Sequence, residues 1–163
     1  MKETGVAFSD LSNEFYTPPD IIAAAKKVIG KLQFDLDPAS CNFANELHEN
    51  NIAKNVMDER MNGLSLPWAG DVWLSPPSGT DKSGNSRQSI WFLTAEAKYL
   101  SGEISSCHLL LRIDYGAEWF LQALNYPYCH FNTKITFTTP TGREKARLED
   151  YIVVYMYVKF HYS

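Results

Sequence analysis

The stretch Asp71-Val72-Trp73-Leu74-Ser75-Pro76-Pro77-Ser78 decides how the rest of the chain is read. Asp71 to Leu74 has the short apolar run of a buried strand, and it stops abruptly at Ser75-Pro76-Pro77. Proline has no amide hydrogen for a sheet ladder, so the strand cannot continue through that pair. A polar loop rich in Ser and Gly follows, from Ser78 to Ser89. Beyond it, Ile90 to Leu100 reads as a helix, and His108 to Ile113 (HLLLRI) as a strand covered on both faces. Ala117 to Leu124 is again helical. Lys134 to Thr139 and Tyr151 to Lys159, joined by the polar loop Pro140 to Asp150, read as an antiparallel hairpin.

Upstream, Thr17-Pro18-Pro19-Asp20 opens a helix, with Thr17 as cap, Pro18 at the first helical position and Asp20 as the acid of a capping box. Ile21, Ile22, Ala25, Val28 and Ile29 follow at helical spacing, and Gly30 is the stop. Leu32 to Leu36 reads as a short strand entering a turn at Asp37-Pro38, and a helix is expected around Asn42 to Asn50. Ile52 to Pro67 gives no clear pattern beyond a turn at Asn62-Gly63. The first fifteen residues are polar and expected to be loose, leaving 16–163 as one domain. This alternation of helices and strands predicts an α/β fold, Rossmann-like, with a mostly parallel sheet and a C-terminal antiparallel hairpin. Ligands of such sheets belong at the carboxyl ends of the strands. Asp37-Pro38-Ala39-Ser40 and Ser75-Pro76-Pro77-Ser78 both fall there.

Composition narrows the function. The 163 residues are 45% hydrophobic and 21% charged, as in ordinary globular domains. A net charge of -4 argues against an unconditional nucleic-acid binder and confines any such contact to local basic patches. The N-terminus lacks a signal-peptide core, and no apolar run approaches the roughly 20 residues of a membrane span. Cys41, Cys107 and Cys129 show neither a disulfide framework nor a zinc spacing and read as small buried hydrophobes; no metal site is expected. Trp68 and Trp73 read as core, and His48, His108 and His130 are assigned no catalytic part. The setting expected is intracellular, cytoplasmic or nuclear, or a host cell for a phage-derived chain.

The Ser75 to Ser78 segment suits one particular chemistry. The exocyclic amine of a nucleobase is a poor nucleophile, because its lone pair is delocalised into the ring. Acceptors for both of its N–H groups draw the nitrogen toward tetrahedral geometry and aim the lone pair, which is catalysis by positioning and electrostatics. Ser75 supplies a side-chain oxygen, Pro76 a carbonyl held by its fixed φ, and Pro77 rigidity. A fourth-position ring would stack on a base flipped out of the duplex.

Tyr16-Thr17-Pro18-Pro19, Phe34-Asp35-Leu36-Asp37-Pro38-Ala39-Ser40, Asn62-Gly63-Leu64, Pro67-Trp68-Ala69-Gly70 and Val72-Trp73-Leu74-Ser75-Pro76-Pro77 stand in one order along the chain. Arg112-Ile113-Asp114-Tyr115, Trp119-Phe120 and Phe137 follow. In this order the chain, from about residue 14 to 158, resembles the phage-type DNA N6-adenine methyltransferases. The resemblance implies a class I methyltransferase sheet, S-adenosyl-L-methionine as cofactor and DNA as partner. It implies that Tyr16, Thr17 and Pro18 lie over the cofactor, and that Asp37, with Asp35 a competing candidate, holds the methionine ammonium. Pro38-Ala39-Ser40 stands in place of a glycine-rich loop. Asn62 and Leu64 belong to the segment that meets the cofactor adenine.

Two positions depart from the family's pattern. Ser75 stands where the family has Asp or Asn; serine there is found in cytosine-N4 enzymes. Ser78 stands where an aromatic is expected, so Trp91, Tyr115 or Trp119 must supply the ring or the protein is slow or inactive. Three readings follow: methyl transfer to adenine N6, transfer to cytosine N4 or to RNA, and a degenerate fold kept for binding or regulation. Lys82 and Arg87 in the loop after Pro77, and Arg143, Lys145 and Arg147 in the C-terminal loop, are the candidate phosphate contacts. Arg112 reaches either the cleft or a neighbouring acid. There is no length for a target-recognition domain, so specificity is expected to be modest or to come from a homodimer partner. No membrane partner is expected.

Overall fold

The computed structural model describes residues 16–139, 144–146 and 150–157. The loose segment expected over residues 1–15, and the end of the last strand at Lys159, lie outside the described residues. The elements in chain order are α1 (Pro19–Ile29), β1 (Phe34–Asp37), α2 (Asn42–Glu46), β2 (Ala53–Val56), a 3-10 turn (Gly63–Ser65), β3 (Asp71–Leu74), α3 (Arg87–Leu100), β4 (Ser106–Arg112), α4 (Glu118–Ala123), β5 (Tyr128–His130), β6 (Thr136–Thr138), β7 (Glu144–Ala146) and β8 (Tyr151–Tyr157).

The fold is α/β, built on a mixed six-stranded sheet in the order β2-β1-β3-β4-β8-β5. β2, β1, β3 and β4 run parallel to one another, and β8 lies antiparallel between β4 and β5. The period of two along the strands divides the core between the faces. Val72, Leu74, Leu109 and Leu111 meet Phe92, Ala95 and Phe120 of α3 and α4 on one face. Trp73 and Leu110 meet Ile21, Ile22 and Ala25 of α1 on the other. β4 is buried over its first six residues because helices cover both sides of it.

Local chemistry shifts several expected boundaries. Pro18, not Thr17, occupies the cap of α1 and makes no side-chain cap bond; Pro19 is the first helical residue and Thr17 is buried. Gly30 ends the helix at φ 68°, its amide returning to Lys27 O. α3 begins at Arg87 rather than Ile90, because the Ser86 hydroxyl accepts from the Ser89 amide. α2 stops at Glu46, well short of Asn50, where Asn50 and Asn51 adopt positive φ. Its buried Asn45 accepts from the Ile52 and Ala53 amides at 2.8 and 2.9 Å and donates to Ala53 O at 3.0 Å. That clamp starts β2, an element the sequence pattern does not reveal.

The expected hairpin of 134–139 with 151–159 does not form. β6 pairs instead with β7, and β8 joins the main sheet. β8 alternates buried and half-buried residues, and its seven residues pair with all seven of β4. A three-residue partner such as Thr136–Thr138 could not bury Ile152, Val154 and Met156 together. Of the three cysteines, all free, only Cys107 is buried; Cys129 is exposed because it lies on the edge strand β5. His48 sits buried just beyond α2. No helix among the described residues is long and apolar enough to cross a membrane.

Asn45→Ala strands the Ala53 amide and carbonyl in the interior, while the Ile52 amide keeps a 3.3 Å bond to the main-chain oxygen of residue 45, so urea denaturation should show a loss of about 2–4 kcal/mol. Asn55→Ala, at an exposed site on β2, should stay within about 0.5 kcal/mol of the parent.

Candidate functional site

β1 is paired on both edges, Leu36 standing opposite Asn55 of β2 and Val72 of β3. The chain leaves β1 toward β2 and returns on the other side as β3, so the order reverses between β1 and β3. A crevice opens at the carboxyl ends of strands at such a reversal. Asp37 to Ser40 and Ser75 to Ser78 are the two segments that leave those ends.

Asp37 is 3% exposed. Burial pushes its carboxyl up to about 7, against the hydrogen bonds of the Ala39 amide (3.2 Å) and the Ser40 hydroxyl, which favour the ionised form. No Lys, Arg or His forms an ion pair with it among the described residues. Main-chain bonds also fix the turn beyond it: the Met57 amide donates to Asp37 O at 3.0 Å and the Ser40 amide to Met57 O at 3.1 Å. A buried carboxylate this poorly compensated is costly unless a cation completes it.

The Asn62-Gly63-Leu64 segment lies against this turn. A Cβ on Gly63 would stand 2.2 Å from Pro38 O, so only glycine permits the approach. Gly63 O accepts from Trp68 Nε1 at 2.8 Å. Trp68 in turn stacks on Trp91 with centroids 6.2 Å apart, and Lys98 Nζ lies 5.2 Å from the Trp68 ring. Asn62 is exposed at φ 54°, and Leu64 is half-buried. Tyr16 comes in over the same end: its hydroxyl is 4.0 Å from Cys41 Sγ, and its ring is 5.8 Å from Phe43. Tyr16 exchanges main-chain bonds with Thr138, which brings β6 to the same side. The structure thus gathers Tyr16, Asp37, Pro38, Ala39, Ser40, Asn62 and Leu64, with Thr17 buried and Pro18 half-buried beside them.

Asp35 is not part of this group. It accepts from the Asp71 amide at 2.8 Å and pairs with Lys31 at 3.0 Å and Lys54 at 3.6 Å. Burial alone would raise its pKa, but the Asp71 amide and the two lysines outweigh it and hold the carboxyl below its usual range. Its anchor, Asp71, opens β3, so Asp35 serves the amino ends of the strands.

Ser75, Pro76 and Pro77 are half-buried and Ser78 is exposed. The loop after them is built, not slack. The Asp81 carboxylate accepts from the Ser83 and Asn85 amides at 2.9 and 2.8 Å, and Thr80 bridges Ser86. Lys82 and Arg87 are exposed on it. Lys145 lies on β7 opposite Phe137; Arg143 and Arg147 lie outside the described residues. Of the rings considered as replacements at position 78, Trp91 and Trp119 are buried, Trp91 on Trp68 and Trp119 on Phe92 and Phe120. Tyr115 is 61% exposed.

Sequence reasoning missed Met57, whose main chain closes the Asp37 turn, and Gln88, whose buried side chain accepts from the Arg112 amide at 2.7 Å. Main-chain pairing leaves no residue signature at Met57. Gln88 carries no signature either, since in sequence it belongs to the polar loop and only the fold buries it. No family model, curated protein or solved structure matches this chain.

Two outcomes are expected here. Gly63→Ala should lower stability by about 1–3 kcal/mol, as in other overpacked interiors, with a shifted Asp37 turn seen in amide NMR spectra. Because the folded pKa of Asp37 lies above the unfolded value, its contribution is favourable at low pH and is lost as pH rises through about 7. Asp37→Asn should therefore be more stable than the parent at pH 8, by roughly 1–3 kcal/mol, and the gap should close toward pH 5 in thermal melts.

Proposed function

We propose that the chain transfers a methyl group from S-adenosyl-L-methionine to the exocyclic amine of a base in DNA, adenine N6 being the leading acceptor. The observation that carries this reading is the buried, unpaired Asp37 carboxylate at the sheet reversal, one strand away from Ser75-Pro76-Pro77. A methionine ammonium is the complement such a carboxylate lacks. The glycine approach at Gly63 keeps Asn62 and Leu64 close to Pro38 and Ala39, where a flat purine would lie edge-on to them. A mostly parallel sheet with a reversed final strand agrees with a class I methyltransferase architecture.

When bound, the cofactor supplies an electrophilic sulfonium methyl. The protein's part is binding and orientation. Asp37, steadied by the Ala39 amide, would hold the polar end of the cofactor, and Tyr16 and Pro18 would cover it. The Ser75 hydroxyl oxygen and the Pro76 carbonyl accept from the two N–H groups of the amine, turning its lone pair outward. The prolines hold those acceptors still, so little reorganisation accompanies the transfer. Lys82 and Arg87, exposed just beyond, meet the phosphate backbone, and β7, carrying Lys145, adds a second contact. Ser75 makes cytosine N4 the second acceptor, since a serine hydroxyl stands at this position in cytosine-N4 enzymes where an acid or amide serves the adenine enzymes.

Transfer of tritiated methyl from the cofactor to duplex and single-stranded DNA, followed by digestion to nucleosides, tests the reading and identifies the base. Ser75→Ala should lower the rate about 10- to 100-fold with little change in cofactor affinity. Calorimetric titration with S-adenosylhomocysteine should give saturable binding that weakens at least about 30-fold in Asp37→Ala. It should also weaken roughly 5- to 10-fold from pH 7.5 to 6.0, as Asp37 takes up a proton. Absence of binding to the folded protein would defeat the proposal.

A further inference from the structure

A second hollow of about 330 Å³ opens on the same edge of the sheet, at the carboxyl ends of β4 and β5 and the start of β8. Because β8 runs antiparallel, its first residue, Tyr151, faces the ends of both neighbours. The Ile113 amide donates to Asp150 O at 2.8 Å and ties these ends together. Three rings line the hollow: Tyr115, Phe131 and Tyr151. Tyr115 is 61% exposed yet held edge-on against Phe120, centroids 5.6 Å apart at 90°. Tyr151 is steadied by Phe137 at 5.2 Å. At the rim, Lys134 Nζ and Asp150 Oδ1 form an ion pair of 2.6 Å, with His130 close by.

We infer that this hollow is a second nucleobase site, taking a base that flanks the one being methylated. The inference rests on the reading of the neighbouring crevice as a base-methylation site. Its size lies at the small end of ligand clefts, about 300–1,000 Å³. Tyr115 is the exposed ring of the three, with Phe131 and Tyr151 half-buried behind it, and an exposed ring on a rigid support is what an unstacked base binds to. β4, β8 and β5 lie one, two and three strands from β3. The hollow is therefore displaced from Ser75 by about 5–15 Å, the span of a nucleotide or two along a single strand. The rim offers a donor and an acceptor side by side. Adenine presents the matching pair, acceptor N7 and donor N6, whereas guanine presents two acceptors on that edge.

The test compares a fluorescent single-stranded dodecamer of deoxyadenosine with an abasic dodecamer carrying the same phosphates. Binding is followed by anisotropy for the parent, Tyr115→Ala and Tyr115→Phe. Tyr115→Ala should weaken oligo-dA binding about 5- to 100-fold, the loss of one stacked base, and leave abasic binding unchanged. Tyr115→Phe keeps the ring and should bind as the parent does. Equal affinity of the parent for the two probes, or an oligo-dA affinity unmoved by Tyr115→Ala, would overturn the inference. Titration with S-adenosylhomocysteine on the same preparations separates the two claims. Cofactor binding without any Tyr115 effect removes this site and leaves the methylation reading. A Tyr115 effect without cofactor binding leaves a base-binding site and removes the methylation reading.

Discussion

The arrangement depends on β1 being paired on both edges by parallel neighbours. Four residues long, it can hold its place only because β2 and β3 both register against Leu36. That double pairing creates the reversal of strand order, and the reversal alone opens a crevice at the carboxyl end. Asp37 is the last residue of that strand. Its burial is therefore a consequence of the sheet, not of a loop that could move it back to water. The Met57 bonds, the bare face of Gly63 and the Trp68–Trp91 stack are successive supports for the one turn in which this acid sits.

Such an acid works against the stability of the empty fold. At neutral pH a carboxyl with a pKa of about 7 is divided between its two forms, and among the described residues the ionised form is held by two short-range donors and no cation. Ion pairing is not scarce in the protein. Lys31 joins Asp35 and Asp71 at 3.0 and 2.5 Å, and Lys98 joins Glu103 at 2.6 Å. The contrast between Asp35 and Asp37, two residues apart on one strand, separates a structural acid from one held in reserve. Buried strain of this kind concentrates where a ligand completes the site.

The strongly patterned elements were legible from the residues. α1 shows helical spacing and a glycine stop, β3 ends at two prolines, and β4 is nearly all apolar. What was illegible follows from physics that leaves no pattern. β2 and β5 are short and largely exposed, so neither alternation nor an apolar run marks them. The partner of β8 was misjudged because periodicity gives a strand's faces and not its neighbours. At the site, both acids were visible but not their difference, since Lys54 and the Asp71 amide come from distant positions. The loop after Pro77 reads only as polar and rich in Ser and Gly, yet Asp81 orders it through bonds to amides two and four residues on.

The measurement that bears most directly on this account is the titration of the Asp37 side chain itself. Its carboxyl carbon, labelled with 13C and assigned through Asp37→Asn, can be followed by NMR with and without S-adenosylhomocysteine. The account predicts a midpoint near 7 in the free protein, falling by at least about two units when the ligand ammonium pairs with it. A midpoint that stays where it was at saturating ligand, or one near the ordinary aspartate value in the free protein, would contradict it.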